Sequence, residues 1–463
     1  AKALSPVLDS LDSSAGSAAN RSYAAAARRL LQAGGAVLRE FCCQHDYRPE
    51  LSPCWGSFEE HAHCCFPGLR RRLASRQPTP WVAEAARREL GPWRVRKIRP
   101  EDVEEFPRRL GHVFCHLRIA GGVVEDCDAE RIPALHNAYG EDHFQYETLL
   151  MSLRILGLFD PNLTADCFVS PHKWDDAPYA VPVWTRSRPP FAHGLVRMPH
   201  YPVLSTRVEA RTAAYAAVAA RSPPWRDRID KVFWRGDFTP SWTRCSCDGS
   251  TLAPSTSPFA PPEARRVDES GHMADKSPCR CRMVAPTRST WSQSPRFAAV
   301  NLSRHFPDDI DARFSQIFSG ARDGPRWCGI LPQRADPRLV TDRSDDGAPS
   351  KYRYVLDIDG TTLSTDRPYS LLASGAVLFK QDSGLEPWLY SHAGSGGGGQ
   401  QLRPFEHFVP VAAARAHEEE CERIAARAAA WSAAWHRREF AYEYVHQLLV
   451  ETALLTGQGA RAR

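Results

Sequence analysis

Apolar side chains at Tyr146, Leu149, Leu150, Leu153 and Leu156 recur three and four positions apart, the spacing that lines one face of a helix. Before that helix, His112-Val113-Phe114-Cys115-His116-Leu117-Arg118-Ile119 reads as a strand, and Gly121-Gly122 supplies a turn into Val123-Val124. After it, Asp166-Cys167-Phe168-Val169 is a short strand that runs into a polar loop. Strand, helix, strand is the rhythm of an open α/β lobe.

The pattern then repeats. A helix over 209–220 ends at Pro223-Pro224, and Lys231-Val232-Phe233-Trp234 opens a second α/β series as a strand. Residues 241–294 are rich in Ser, Pro, Thr and Arg and poor in large aliphatics, which predicts an insertion too polar to build its own core. Order resumes over 297–302 and 310–314. The clearest unit is 352–360, a buried strand that ends in glycine. Pro368 suits the first turn of a following helix, Gly375 caps it, and 376–380 is the next strand. Residues 394–399 are a glycine-rich surface loop, and 412–455 read as a long helical region that folds back.

The first 110 residues differ. Residues 24–41 and 81–90 have helical composition, and the Cys/His/Pro stretch 42–67 reads as irregular. The expected division is an N-terminal Cys-rich extension (1–110), an N-lobe (111–228), a C-lobe carrying the polar insertion (229–411) and a C-terminal helical region (412–463).

Charge narrows the function classes. A net +5 over 463 residues is mild, and the basic residues are overwhelmingly Arg, scattered among abundant Ala. A nucleic-acid surface would cluster that charge, so no nucleic-acid partner is expected. Fourteen cysteines, five of them at 42, 43, 54, 64 and 65, suit an oxidising compartment. The sequons Asn20-Arg21-Ser22, Asn162-Leu163-Thr164 and Asn301-Leu302-Ser303 suit the same secretory lumen. No apolar run reaches the ~18–20 residues of a membrane span. The chain starts at Ala1, so membrane association is expected only through a segment outside it. Its end, Ala460-Arg461-Ala462-Arg463, is not a KDEL-type signal, which leaves Golgi beside endoplasmic reticulum.

Candidate chemistry gathers at 352–374, where an α/β fold places ligands beyond the carboxyl end of a strand. The loop Thr361-Thr362-Leu363-Ser364-Thr365-Asp366-Arg367 offers hydroxyls, backbone N–H groups and a guanidinium to a diphosphate. Asp357 and Asp359 oppose a phosphate unless paired or turned away, and an ordinary βα turn is the plain alternative. Leu356-Asp357-Ile358-Asp359-Gly360-Thr361 also has the hhDxDGT form of haloacid-dehalogenase phosphatases, with Lys380 as the lysine that magnesium-dependent chemistry uses. No later strand ends in the paired carboxylates such an enzyme needs. Cys245-Ser246-Cys247 and Cys279-Arg280-Cys281 suit disulfides better than zinc.

The C-terminal half is similar to the capsule-associated-protein (CAP-type) glycosyltransferases, which include the KTELC/Rumi protein O-glucosyltransferases of glycosyltransferase family 90. Phe233-Trp234-Arg235-Gly236 resembles the family's F-x-R-G motif, and Ser294-Pro295-Arg296-Phe297 with His305 and Asp311 its next segment. The stretch from Lys351 to Gly360 with Ser364, Arg367 and Lys380 resembles the central one, and Glu386 to Val411 the closing one. The likeness covers roughly residues 110–411. One residue looks inserted before Arg367, and Asp359 stands where the animal protein O-glucosyltransferases have Arg.

The resemblance implies an α/β fold of the GT-B type, with two Rossmann-like lobes and a C-terminal helix folding back. It implies an inverting, metal-independent transfer of a glucose- or xylose-type sugar from a UDP-sugar to a hydroxyl of a protein or glycan. The UDP-sugar is then a co-substrate and no cofactor is required. Arg235, Gly236, Gly360, Ser364 and Arg367 fall at donor-binding positions. The base falls in the loop after an N-lobe strand, at Asp175 or Asp176, with His172 as a fallback. Lys173 holds the position a gapless match gives to the family's Asp, which keeps open a catalytically inactive binding protein of the same fold.

Overall fold

Two five-stranded sheets organise the chain in a computed structural model. It describes residues 43, 57–75, 78–96, 98–110, 115–125, 141–169, 181–185, 187–188, 195–199, 204, 206–237, 241–246, 280–284, 293–316, 341, 347–360, 367–381, 383, 386–387, 407–410, 418–435 and 438–458. The architecture is mixed α/β.

Among the described residues, five helices precede the first sheet: α1 (Phe58–Cys65), α2 (Pro67–Ala74), α3 (Pro80–Glu89), α4 (Gly91–Arg96) and α5 (Pro100–Leu110). Pro67 and Pro80 open α2 and α3, where the missing N–H costs nothing. The Ser57 hydroxyl caps α1 by accepting from the Glu60 N–H at 3.2 Å. Part of the stretch expected to be irregular is therefore helical. Phe58, Ala62, Phe66 and Leu69 all join or abut the core, a three- and four-residue spacing that the intervening Cys and His residues obscure. Cys43 is disulfide-bonded to Cys65, while Cys64 is a free thiol. The helix expected over 24–41 lies outside the described residues.

The first sheet contains β1 (Cys115–Ala120), β2 (Val123–Glu125), β3 (Ala165–Val169), β4 (Val183–Thr185) and β6 (Leu195–Arg197), in the order β2-β1-β3-β4-β6. Gly121 and Gly122, at φ 59° and 80°, make the β1–β2 hairpin turn, a conformation that a side chain would strain. β1 lies antiparallel to β2 and β3, whereas β3, β4 and β6 run parallel. Helix α6 (Glu141–Phe159) carries the predicted apolar face, with Leu149, Leu153 and Leu156 fully buried.

After α7 (Thr206–Ala219) the second sheet forms from β7 (Ile229–Asp237), β10 (Ile310–Gln316), β11 (Tyr352–Asp357), β12 (Val377–Lys380) and β14 (Val409–Pro410). All are parallel, in the order β10-β7-β11-β12-β14. Helices α8 (Pro295–His305) and α9 (Arg367–Ala373) connect them, and Gly375 at φ 71° ends α9. The polar insertion is not without structure. Strands β8 (Ser241–Ser246) and β9 (Arg280–Val284) pair antiparallel, with Cys245 opposite Cys281. Backbone hydrogen bonding can hold such a ribbon without an apolar core of its own.

A two-residue ladder joins β5 (Ser187–Arg188) to β13 (Glu386–Pro387). The C-terminal region resolves into two helices, α10 (Glu418–Trp435) and α11 (Arg438–Leu455). α10 packs on α9 and β12 of the second sheet, whereas α11 packs on α2, α3 and β3 of the first. Tyr442 and Tyr444 are buried there with Phe440. α11 is fixed by polar contacts as well. Glu443 accepts from the Thr79 hydroxyl (2.9 Å) and Arg72 (3.4 Å), and His446 pairs with Asp160 (2.9 Å).

Candidate functional site

In the second sheet the chain order of the strands is 2-1-3-4-5, so the connections depart in opposite directions from β7 and β11. The crevice beyond the carboxyl ends at that switch point is where open α/β sheets bind ligands. There β7 ends in Arg235-Gly236-Asp237, and β11 ends in Asp357, followed by Ile358-Asp359-Gly360.

Side chains alternate along β7. Trp234 is fully buried in a small cluster with Phe297, Val300, Phe314 and Ile358. Two guanidiniums lie on its ring face: that of Arg367 is 5.5 Å from the ring centroid and that of Arg296 is 6.0 Å away. Arg367 opens α9, and its Nη1 would be 3.1 Å from a Cβ placed on Gly236. Arg296 is in the first turn of α8, and its Nη1 donates to the Asp237 carbonyl at 2.7 Å. Burial, reinforced by the neighbouring Arg367 charge, lowers the Arg296 pKa to about 10. It remains a cation at neutral pH. Two guanidiniums over one indole ring, one of them buried, give this strand end cationic character, offset in part by the Asp237, Asp357 and Asp359 carboxylates that act on Arg296.

Beside them stands a buried acid–lysine cluster. The parallel register sets Asp357 opposite Lys380. Lys380 Nζ bonds Asp359 and lies 3.5 Å from Asp357, while the Ser383 hydroxyl donates to the other Asp359 oxygen. Gln381 closes the network by accepting from the Asp359 N–H at 3.0 Å. Burial works to lower the Lys380 pKa, but the Asp359 and Asp357 carboxylates outweigh it and hold the ammonium protonated. Of the two acids that would repel a phosphate, Asp359 is thus paired with a cation within the fold, and the same cation lies near Asp357.

Arg235 is not in this group. Its Nη2 makes a forked pair with Asp311 (2.9 and 3.0 Å), its Nη1 donates to the carbonyls of Trp234 and Asp311, and its guanidinium sits 4.6 Å from the Phe233 ring centroid. Tyr352 donates to the same Asp311 carboxylate at 2.6 Å. Burial and that bond push the Tyr352 hydroxyl up to about 12. Strand parity explains the placement: residues 233 and 235 share one face of β7, residues 234 and 236 the other.

Of the expected donor positions, Gly236, Gly360 and Arg367 come together, and Arg235 is engaged elsewhere. Ser364, Asp175, Asp176 and His172 lie outside the described residues. Arg296, which joins Arg367 at the Trp234 ring, is not among the expected donor positions, although Ser294-Pro295-Arg296-Phe297 carries part of the resemblance. The detectable signal was the parity of Trp234 and Gly236 against Arg235. Among the described residues no group of three His, Cys, Asp or Glu is arranged to hold a metal ion, and no helix is long and apolar enough to cross a membrane. No protein-family model matches the chain.

Proposed function

We propose that the chain is an inverting, metal-independent glycosyltransferase, moving a glucose- or xylose-type sugar from a UDP-sugar to a hydroxyl of a protein or glycan. The observation that carries this is the pair of guanidiniums, Arg296 and Arg367, on the Trp234 face at the switch point. As a glycosidic bond to a nucleoside diphosphate breaks, negative charge grows on the leaving phosphate. Cations already fixed there favour the transition state over the ground state.

Two features of the fold support a two-lobed GT-B arrangement. β5 follows the carboxyl end of β4, and β13 follows that of β12, so their pairing draws the carboxyl edges of both sheets toward one another. The helices α10 and α11 lie one on each sheet, as a C-terminal segment crossing back would. Asp175 or Asp176, in the segment leaving the carboxyl end of β3, is the proposed base for the acceptor hydroxyl, with His172 as fallback. The proposed setting is the secretory lumen, Golgi or endoplasmic reticulum, which suits the Cys43–Cys65 disulfide.

The test is a panel of UDP-sugars assayed for free UDP, with Arg296→Ala, Arg367→Ala and Asp175→Asn as controls. Absence of both binding and hydrolysis across the panel overturns the proposal. Donor-dependent thermal stabilisation without turnover identifies a binding protein instead. One observation favours a phosphatase: Lys380 touches both Asp357 and Asp359. Yet both Asp359 oxygens are taken up by Lys380 and Ser383 in a buried setting, which leaves no acid free for a leaving group. Magnesium-dependent phosphate-ester hydrolysis lost in Asp357→Asn would establish that alternative.

A further inference from the structure

We infer that Asn162 is an N-glycosylation site, taking its oligosaccharide from a polyisoprenyl-diphosphate donor. α6 ends at Phe159, and Pro161-Asn162 form the turn that leads into β3. The turn is built to present Asn162. Leu163 is buried at 4% exposure and its N–H donates to the Asp160 carbonyl at 3.0 Å. The Asp160 carboxylate is pinned in turn by His446 at 2.9 Å. Between these anchors Asn162 is exposed, and Thr164, the third residue of its acceptor tripeptide, is partly exposed.

The second described sequon is placed differently. Asn301 is half-buried within α8, and its carbonyl hydrogen-bonds the His305 ring at 2.8 Å. The hydroxyl of Ser303 is already spent, donating to the Ile310 carbonyl (2.8 Å) and accepting from the Ala312 N–H (3.1 Å). The folded chain offers the transferase Asn162 and withholds Asn301.

In the covalent step, the bond between the anomeric carbon of the sugar and the diphosphate oxygen breaks. A bond from that carbon to Asn162 Nδ2 forms, one amide proton passes to a base of the oligosaccharyltransferase, and the lipid diphosphate leaves. The glycan emerges at the amino end of β3, five residues and ~16 Å from the carboxyl edge that the candidate base segment leaves. It therefore does not obstruct the proposed cleft.

The inference rests on the secretory assignment, so the test separates the two. The chain, carrying Asn20→Gln, is directed into the lumen of cultured animal cells by a cleavable signal peptide. Occupancy at each asparagine is read by mass spectrometry after glycosidase treatment in heavy-oxygen water, and the native protein is located separately by microscopy. The expected result is near-complete occupancy of Asn162, at least ~10-fold above Asn301, lost in both Asn162→Gln and Thr164→Ala. UDP affinity of Asn162→Gln stays unchanged. An unmodified Asn162 in the lumen-directed chain, or equal occupancy at Asn301, overturns the site. A glycosylated lumen-directed chain whose native counterpart is cytosolic overturns both the compartment and the modification of the native protein, and shows only that the Asn162 turn can serve as an acceptor.

Discussion

The guanidinium of Arg296 lies against the backbone of Gly360, with its Cζ only 3.3 Å from the point where a Cβ at that position would stand. Gly360 closes the strand end that carries Asp357 and Asp359, and Arg296 comes from the first turn of another element, α8. The absence of a side chain at 360 is what lets a buried cation approach the carboxyl edge of the sheet.

Gly360→Ala should therefore act on the site as well as on the fold. The added methyl displaces Arg296, and UDP affinity measured by calorimetry falls at least ~10-fold, about 1.4 kcal/mol. The stability cost of the overpacking is about 1–3 kcal/mol, read by urea denaturation. Unchanged UDP affinity would show that Arg296 does not touch the nucleotide.

Arg296→Ala and Arg235→Ala should behave oppositely. Loss of Arg296 removes a charge-assisted contact to phosphate, weakening UDP binding by about 10–100-fold. Loss of Arg235 strips Asp311 of its forked partner and leaves Tyr352 and Arg313, costing about 1–3 kcal/mol of stability with UDP affinity within about twofold. An Arg235→Ala protein of full stability that fails to bind UDP would place Arg235 in the donor site after all.

Lys380→Met leaves Asp357 and Asp359 buried, at 4% and 3% exposure, without their counter-charge. Breaking a buried ion pair from one side costs about 3–5 kcal/mol. Denaturation should show that loss, and Lys380→Met combined with Asp359→Asn should recover part of it. No recovery would mean that Asp359 is not the carboxylate left uncompensated.

Asp166 sets an acid limit. Burial works to raise its carboxyl, but hydrogen bonds from His116 (2.6 Å), Gln458 and Arg118 (3.0 Å) outweigh it and hold it below the ordinary carboxylate value. As pH falls, the unfolded chain takes up this proton before the folded one does. The stabilisation is present above the unfolded value, ~pH 4, and is lost as pH falls below it through the folded one. Urea midpoints over that range should fall less steeply in Asp166→Asn. An identical slope would mean the carboxylate is not held below its ordinary value.

Much of the scaffold could be read from neighbouring residues. The spacing of Leu149, Leu153 and Leu156 marks α6, Gly121-Gly122 marks the first hairpin, and Pro368 and Gly375 bracket α9 closely. The chain around 352–360 announced itself as a buried strand ending at a candidate ligand edge, and β11 is that strand. Two stretches were less legible. In α1 and in the β8–β9 ribbon, cysteine, histidine and polar composition cover the periodic signal.

The division between local and distant information explains the rest. Helix and strand periods, proline starts and glycine turns depend on a few adjacent residues, so the linear chain specified the α/β alternation and the strand ends where chemistry gathers. Which arginines stand at the Trp234 ring was decided by approach across the fold. Asp311, 76 positions from Arg235, claims that guanidinium, and strand parity turns it away from Trp234, over whose ring Arg296 and Arg367 both lie. The neutralisation of Asp359 by Lys380 likewise needed β11 and β12 to align in register. Charges are paired by distance and burial in three dimensions, and neither is written in the order of residues.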